Sequence, residues 1–113
     1  MFINPNLERI FRGDSKTLTY TIYSEDNFCK NLYELVEGDE LYFALLEPNQ
    51  CWEEAILKKE LTVTPGSSNI EVQFKPNDTM CLMPGLYYYQ IKLRLSNGEV
   101  HTLNPRTSLW IQE

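Results

Sequence analysis

The sequence predicts an all-β fold: one antiparallel β-sandwich of about seven or eight short strands with one short helical turn. Two observations predict it. Polar and apolar residues alternate along several segments, and clusters of turn-forming residues separate those segments. Side chains repeat every two residues only in an extended strand, so each alternating segment has one face in a core and one in water.

Leu7–Arg12 reads as a first strand. In "KTLTYTIY", Leu18, Tyr20 and Ile22 share one face while Thr17, Thr19 and Thr21 share the other. Asp39–Glu47 and Ala55–Val63 follow as strands. In "NIEVQF", Ile70, Val72 and Phe74 oppose Glu71 and Gln73. In "LYYYQIKLRL", Tyr87, Tyr89, Ile91, Leu93 and Leu95 oppose Tyr88, Gln90, Lys92 and Arg94. Glu99–Leu103 and Thr107–Gln112 complete the set. The core is expected to hold Leu18, Tyr20, Ile22, Phe43, Leu45, Ile70, Val72, Phe74, Tyr87, Tyr89, Ile91 and Leu93. Ser96-Asn97-Gly98 reads as a hairpin turn, because Asn-Gly supplies the positive φ angles that tight turns require.

Two segments do not alternate. "PNDTMCLMPG" places Asp78 where a helix N-cap would sit, and a single helical turn crossing one end of the sandwich, stopped by Pro84-Gly85, fits it. Asn27–Gly38 is either a long connection or carries a short helix.

Arg12-Gly13-Asp14 matches an integrin-binding tripeptide, but a three-letter match is weak. Gly permits the left-handed backbone, and Asp bonds back to nearby amides. The tripeptide therefore reads as a turn before a strand, with Arg12 bracing an acidic neighbour. Gly85-x-Tyr87 reads as a tyrosine corner, whose hydroxyl ties back to the chain at the sandwich end.

At 113 residues the chain is one domain by length. A chain of this size buries roughly two-thirds of its unfolded surface, enough to fold without metal or disulfide. The net charge of −6 argues against nucleic-acid phosphates and anionic membranes as partners. No apolar run has the length of a membrane helix, and "MFINPNLERIF" does not read as a signal peptide. The acidic stretch "ELVEGDE" lacks calcium-loop spacing and reads as a solvated turn, so no metal is expected. Cys29, Cys51 and Cys81 form no Cys-x-x-Cys pair. They read as buried or half-buried free thiols of a reducing compartment.

His101 is the only histidine and lies in an alternating strand away from any nucleophile motif. No enzymatic role and no cofactor are expected. Among the aromatics, Tyr88 faces outward and is a candidate contact residue. Trp52 is expected in the core. Trp110 opposes Leu109 and Ile111 in parity, so it covers the second face or meets a partner.

Several blocks together resemble a known family. They are Arg12-Gly13-Asp14 before a Thr-rich strand, Gly38-Asp39 before an aromatic strand, and Pro76 with Asp78-Thr79. Pro84-Gly85-x-Tyr87-Tyr88-Tyr89-x-Ile91 and the strand pair around Gly98, closed by Thr102 and Pro105, complete them. The chain resembles the small immunoglobulin-like domains of phages and prophages of Gram-positive bacteria, such as the N-terminal domain of baseplate upper proteins. The likeness covers almost the whole chain and ends with the sandwich. It implies an immunoglobulin-like β-sandwich with no catalytic residues. It also implies a structural protein of the tail, baseplate or head–tail junction, made in the bacterial cytoplasm and carried in the virion. The partners expected are other virion proteins and further copies of itself. A carbohydrate-binding module and a prophage-encoded cytoplasmic regulatory protein are the alternatives.

Overall fold

Alternation becomes a pair of stacked sheets in the computed structural model, which describes residues 1–24 and 31–113. The described strands are β1 (Phe2–Ile3), β2 (Glu8–Phe11), β3 (Lys16–Ser24), β4 (Asn31–Leu32) and β5 (Glu40–Leu46). They continue with β6 (Leu57–Leu61), β7 (Asn69–Phe74), β8 (Gly85–Arg94), β9 (Val100–Thr102) and β10 (Thr107–Gln112). A 3-10 turn spans Trp52–Glu54, and one short helix, α1, spans Pro76–Met80.

The smaller sheet is built on β3, which pairs with β1, β4 and β7. The larger runs β2-β10-β8-β5-β6, with β9 also on β8. The twelve alternating residues expected in the core, from Leu18 to Leu93, are all buried, whereas Trp52 is not, and the inward faces of both sheets meet in one cluster. Phe43 sits at its centre, edge-on to Phe74 and stacked on Tyr89, which in turn stacks on Tyr20. Aromatic rings at these separations add to the area they bury.

Four features depart from the sequence reading. First, the strands outnumber the expectation because β1 and β4, two residues each, do not show a period. Second, the sandwich is not wholly antiparallel: β2 runs parallel to β10, with Ile10 opposite Ile111. The first segment is shared between sheets, β1 on β3 and β2 on β10, with Pro5 in the crossing. Proline has no N–H for a ladder, so pairing breaks there. Alternation reports faces and says nothing of a neighbour's direction.

Third, Asp78 is not the N-cap of α1. That position belongs to Lys75, and Asp78 is the third helical residue, its carboxylate accepting from the Lys75 backbone N–H at 2.7 Å. The helix stops at Met80, ahead of Pro84-Gly85. Fourth, Cys51 and Cys81 are exposed, one preceding the 3-10 turn and one capping α1, where no sheet covers them. Cys29 and part of the Asn27–Gly38 segment lie outside the described residues; what is described there is β4 and a turn with Gly38, not a helix.

The break between β9 and β10 explains a buried amide. Leu103 still pairs with Ile91, its N–H donating to the Ile91 carbonyl at 2.8 Å. At Asn104 the side chain substitutes for the missing ladder. Its Oδ1 accepts from the Ile91 N–H at 2.8 Å, and its Nδ2 donates to the Tyr89 carbonyl at 3.1 Å. Removing it leaves β8 with a buried unpaired donor and acceptor, each costing about 1–3 kcal/mol. Asn104→Ala should therefore lower unfolding free energy by about 2–4 kcal/mol in urea titration. Asn104→Asp, which sets a carboxylate oxygen against the Tyr89 and Pro105 carbonyls in a buried site, should lose at least as much at neutral pH.

Candidate functional site

The parity of β8 sets what the larger sheet shows to its surroundings. With Tyr87, Tyr89, Ile91 and Leu93 inward, Leu86, Tyr88, Gln90 and Lys92 lie on the outer face. Register then places Trp110 opposite Leu86 and Arg9, Ser108 opposite Tyr88, and Gln112 opposite Phe11. Tyr88, Trp110 and Phe11 are thus successive diagonal neighbours across three strands. Aromatic side chains reach one another over such diagonals. Tyr88 is half-buried, Trp110 is 38% exposed and Phe11 55% exposed.

The strip runs toward α1. Met80, at the helix end, and Met83, just beyond it, are 52% and 78% exposed. Met80 sits beside Gly13, where a Cβ would come within 3.2 Å of its terminal methyl. The exposed thioethers and Phe11 make this end of the molecule apolar, and Arg9 lies opposite Trp110. Trp, Tyr and Arg dominate the binding energy of protein interfaces, and Met supplies an adaptable surface.

Register places Tyr88 and Trp110 on one outer face as diagonal neighbours and adds Phe11, which sequence reasoning had passed over. The signal was in "ERIF": once Ile10 points inward, Phe11 points out. What could not be read is the parallel pairing that puts β2 beside β10. Trp52 is not in the core, a correction to its expected place. It lies on the outer side of the larger sheet, with the Lys92 ammonium 4.5 Å from its ring centroid. The segment carrying it folds back against β5, where the outward-facing Ala44 and Leu46 are fully buried.

Arg12-Gly13-Asp14 is a turn. The Asp14 N–H donates to the Phe11 carbonyl at 3.0 Å, with Gly13 at φ +83°. Gly13 N–H donates to the buried Thr79 hydroxyl at 2.9 Å, fastening the turn to α1. The Arg12 guanidinium pairs with Glu113 at 3.0 Å. At the same end, the Tyr87 hydroxyl donates to the Met83 carbonyl at 2.6 Å, the tie of a tyrosine corner adjoining Gly85.

His101 lies on β9 beside Glu99, 3.4 Å from its carboxylate. The Cys51 thiol donates to Glu54, and that bond, with Glu53 nearby, holds its pKa above the ordinary thiol value, the reverse of an activated nucleophile. Among the described residues no group of His, Cys, Asp or Glu is arranged to hold a metal ion. A cleft of about 620 Å³ lies between β6 and β7, lined by polar residues including Glu60, Thr62, Glu71 and Gln73.

The fold and surface define an all-β sandwich with an aromatic strip on one sheet and a polar cleft on one flank. No protein-family model matches the chain, and no curated protein matches it.

Asp78 gives this end of the molecule a pH dependence. Burial alone would raise its pKa, but the Lys59 ammonium at 2.8 Å and the Lys75 amide outweigh burial and hold it below the ordinary value. A carboxyl depressed on folding contributes stability above its unfolded pKa and loses it as pH falls through the folded one. Urea midpoints should therefore drop as pH is taken below about 4, and Asp78→Asn should flatten that limb.

Proposed function

We propose that this chain is a non-enzymatic structural protein of a phage or prophage, an assembly module acting through protein–protein contacts. The observation that carries the reading is the outward-facing strip of half-buried Tyr88 with exposed Trp110 and Phe11 on one sheet face, with exposed Met80 and Met83 at the α1 end. Large exposed apolar groups in one place mark a binding surface, whereas scattered ones do not. The resemblance to immunoglobulin-like phage domains supplies the class of partner: other virion proteins of the tail, baseplate or head–tail junction. Assemblies of that kind repeat one contact around a symmetry axis, so a modest surface per copy suffices. The virion is then the site of action, after synthesis in the bacterial cytoplasm.

The same strip favours a second reading. Two or three aromatics on one face also suit stacking on sugar rings, as in a carbohydrate-binding module. A glycan array separates the two. Binding by the wild type that Trp110→Ala removes would favour the sugar reading, and a clean negative would remove it.

The chain used as bait in an induced culture should retain virion proteins identified by mass spectrometry. Trp110→Ala and Phe11→Ala should each weaken that retention by about tenfold or more, with unchanged thermal unfolding. Retention of a host enzyme in place of virion proteins would overturn the assembly reading.

A further inference from the structure

We propose that the outer edge of β7 pairs with the same edge of a second copy, forming a two-fold dimer through a continuous antiparallel ladder. This goes beyond the aromatic strip and does not need that reading to hold. Strand β7 pairs with β3 along one edge, and among the described residues no strand pairs with the other. The larger sheet likewise ends at β6, so the polar cleft lies between two open edges.

Backbone alternation says which groups that edge offers. The Ile22 N–H donates to the Ser68 carbonyl at 2.8 Å, and the register continues through Tyr20–Ile70 and Leu18–Val72. Residues 70, 72 and 74 therefore aim their N–H and carbonyl groups at β3, while Asn69, Glu71 and Gln73 aim theirs outward. Two neighbouring donors are occupied within the chain. The Asn69 N–H donates to the Ser67 hydroxyl at 3.1 Å, and the Lys75 N–H donates to Asp78 at 2.7 Å. That leaves the N–H groups of Glu71 and Gln73.

An antiparallel copy related by a two-fold axis through Val72 sets Glu71 opposite Gln73 in both directions. Both free donors and both carbonyls are then used, in about four hydrogen bonds. Shifting the register toward one end sets Glu71 against Glu71 and calls on the Asn69 donor that Ser67 holds. Shifting it toward the other calls on the Lys75 donor that Asp78 holds. Charge permits the contact: Lys59, Lys75, Glu60 and Glu71 balance along this flank, in a chain whose net charge is −6. A ladder this short makes a weak, reversible dimer.

The test is sedimentation velocity and amide hydrogen exchange on the full chain from micromolar to near-millimolar concentration. A dimer is expected to build up with concentration, and exchange at Glu71 and Gln73 to slow by about tenfold or more as it does. Gln73→Pro, which deletes an outward donor without touching the β3 ladder, should remain monomeric with a wild-type circular dichroism spectrum. The exchange measurement needs no variant, so a Gln73→Pro chain that fails to fold leaves the decision with it. A monomer at every concentration overturns the proposal. So does a dimer in which both amides exchange at one rate throughout, since that dimer forms elsewhere. Neither result bears on the aromatic strip, whose own variants decide its case.

Discussion

Strand β8 is the constraint on which the rest of the molecule depends. It is hydrogen-bonded along both edges for most of its length, to β5 from Tyr88 to Arg94 and to β9 and β10 on the other side. A strand so enclosed has no freedom of register, because a slip of one residue would carry Tyr87, Tyr89, Ile91 and Leu93 out of the core together. The break opposite Ile91 would be its weak point. Asn104 closes it with an amide that donates and accepts as a backbone unit would. One side chain thus lets β9 and β10 act as one interrupted strand.

The inward parity of β8 also dictates the outward one. The residues that make Tyr89 a core residue leave Tyr88 on the far face, and the β10 register extends that face to Trp110 and, through β2, to Phe11. The candidate interface is therefore a by-product of core packing and cannot be moved without disturbing it. Its apolar end depends on α1 in a similar way. The helix is held at one end by Asp78 to Lys59 and Lys75, and near the other by Thr79 accepting from Gly13. These contacts fix where Met80 and Met83 emerge.

Much of this was legible because alternation is a local property. The faces of β3, β7 and β8, the Gly98 hairpin and the inward set from Leu18 to Leu93 all follow from residues within a few positions of each other. The hairpin shows it in part: the Gly98 N–H donates to the Leu95 carbonyl at 2.9 Å with Gly98 at φ +92°, while Asn97 does not take a positive φ. What was not legible depends on distant pairing. Parallel β2–β10 contact joins opposite ends of the chain, and Trp52 leaves the core because its loop folds back over β5. Neither leaves a period in the sequence. Asp78 is an intermediate case. Its role in starting α1 was visible, but an acid that serves the N-cap amide from the third helical position looks, in sequence, much like a cap itself.

The two surfaces differ in the physics that would join them to anything. At the strip, affinity would come from removing Trp110, Phe11 and the methionines from water, and specificity from the shape they present. At the β7 edge the groups are backbone, every polypeptide carries them, and specificity must come from which donors are already used. Ser67 and Asp78 perform that selection, by occupying the Asn69 and Lys75 amides. Such an edge is also where unwanted pairing begins, and proteins commonly blunt it with charge. Here Glu71 and Lys75 flank Gln73, so a register that sets like charges together is penalised while one that offsets them is not. Charge disfavours the register that sets Glu71 against Glu71 but would favour one that sets Glu71 against Lys75, so it is the occupied Asn69 and Lys75 amides that single out the proposed register.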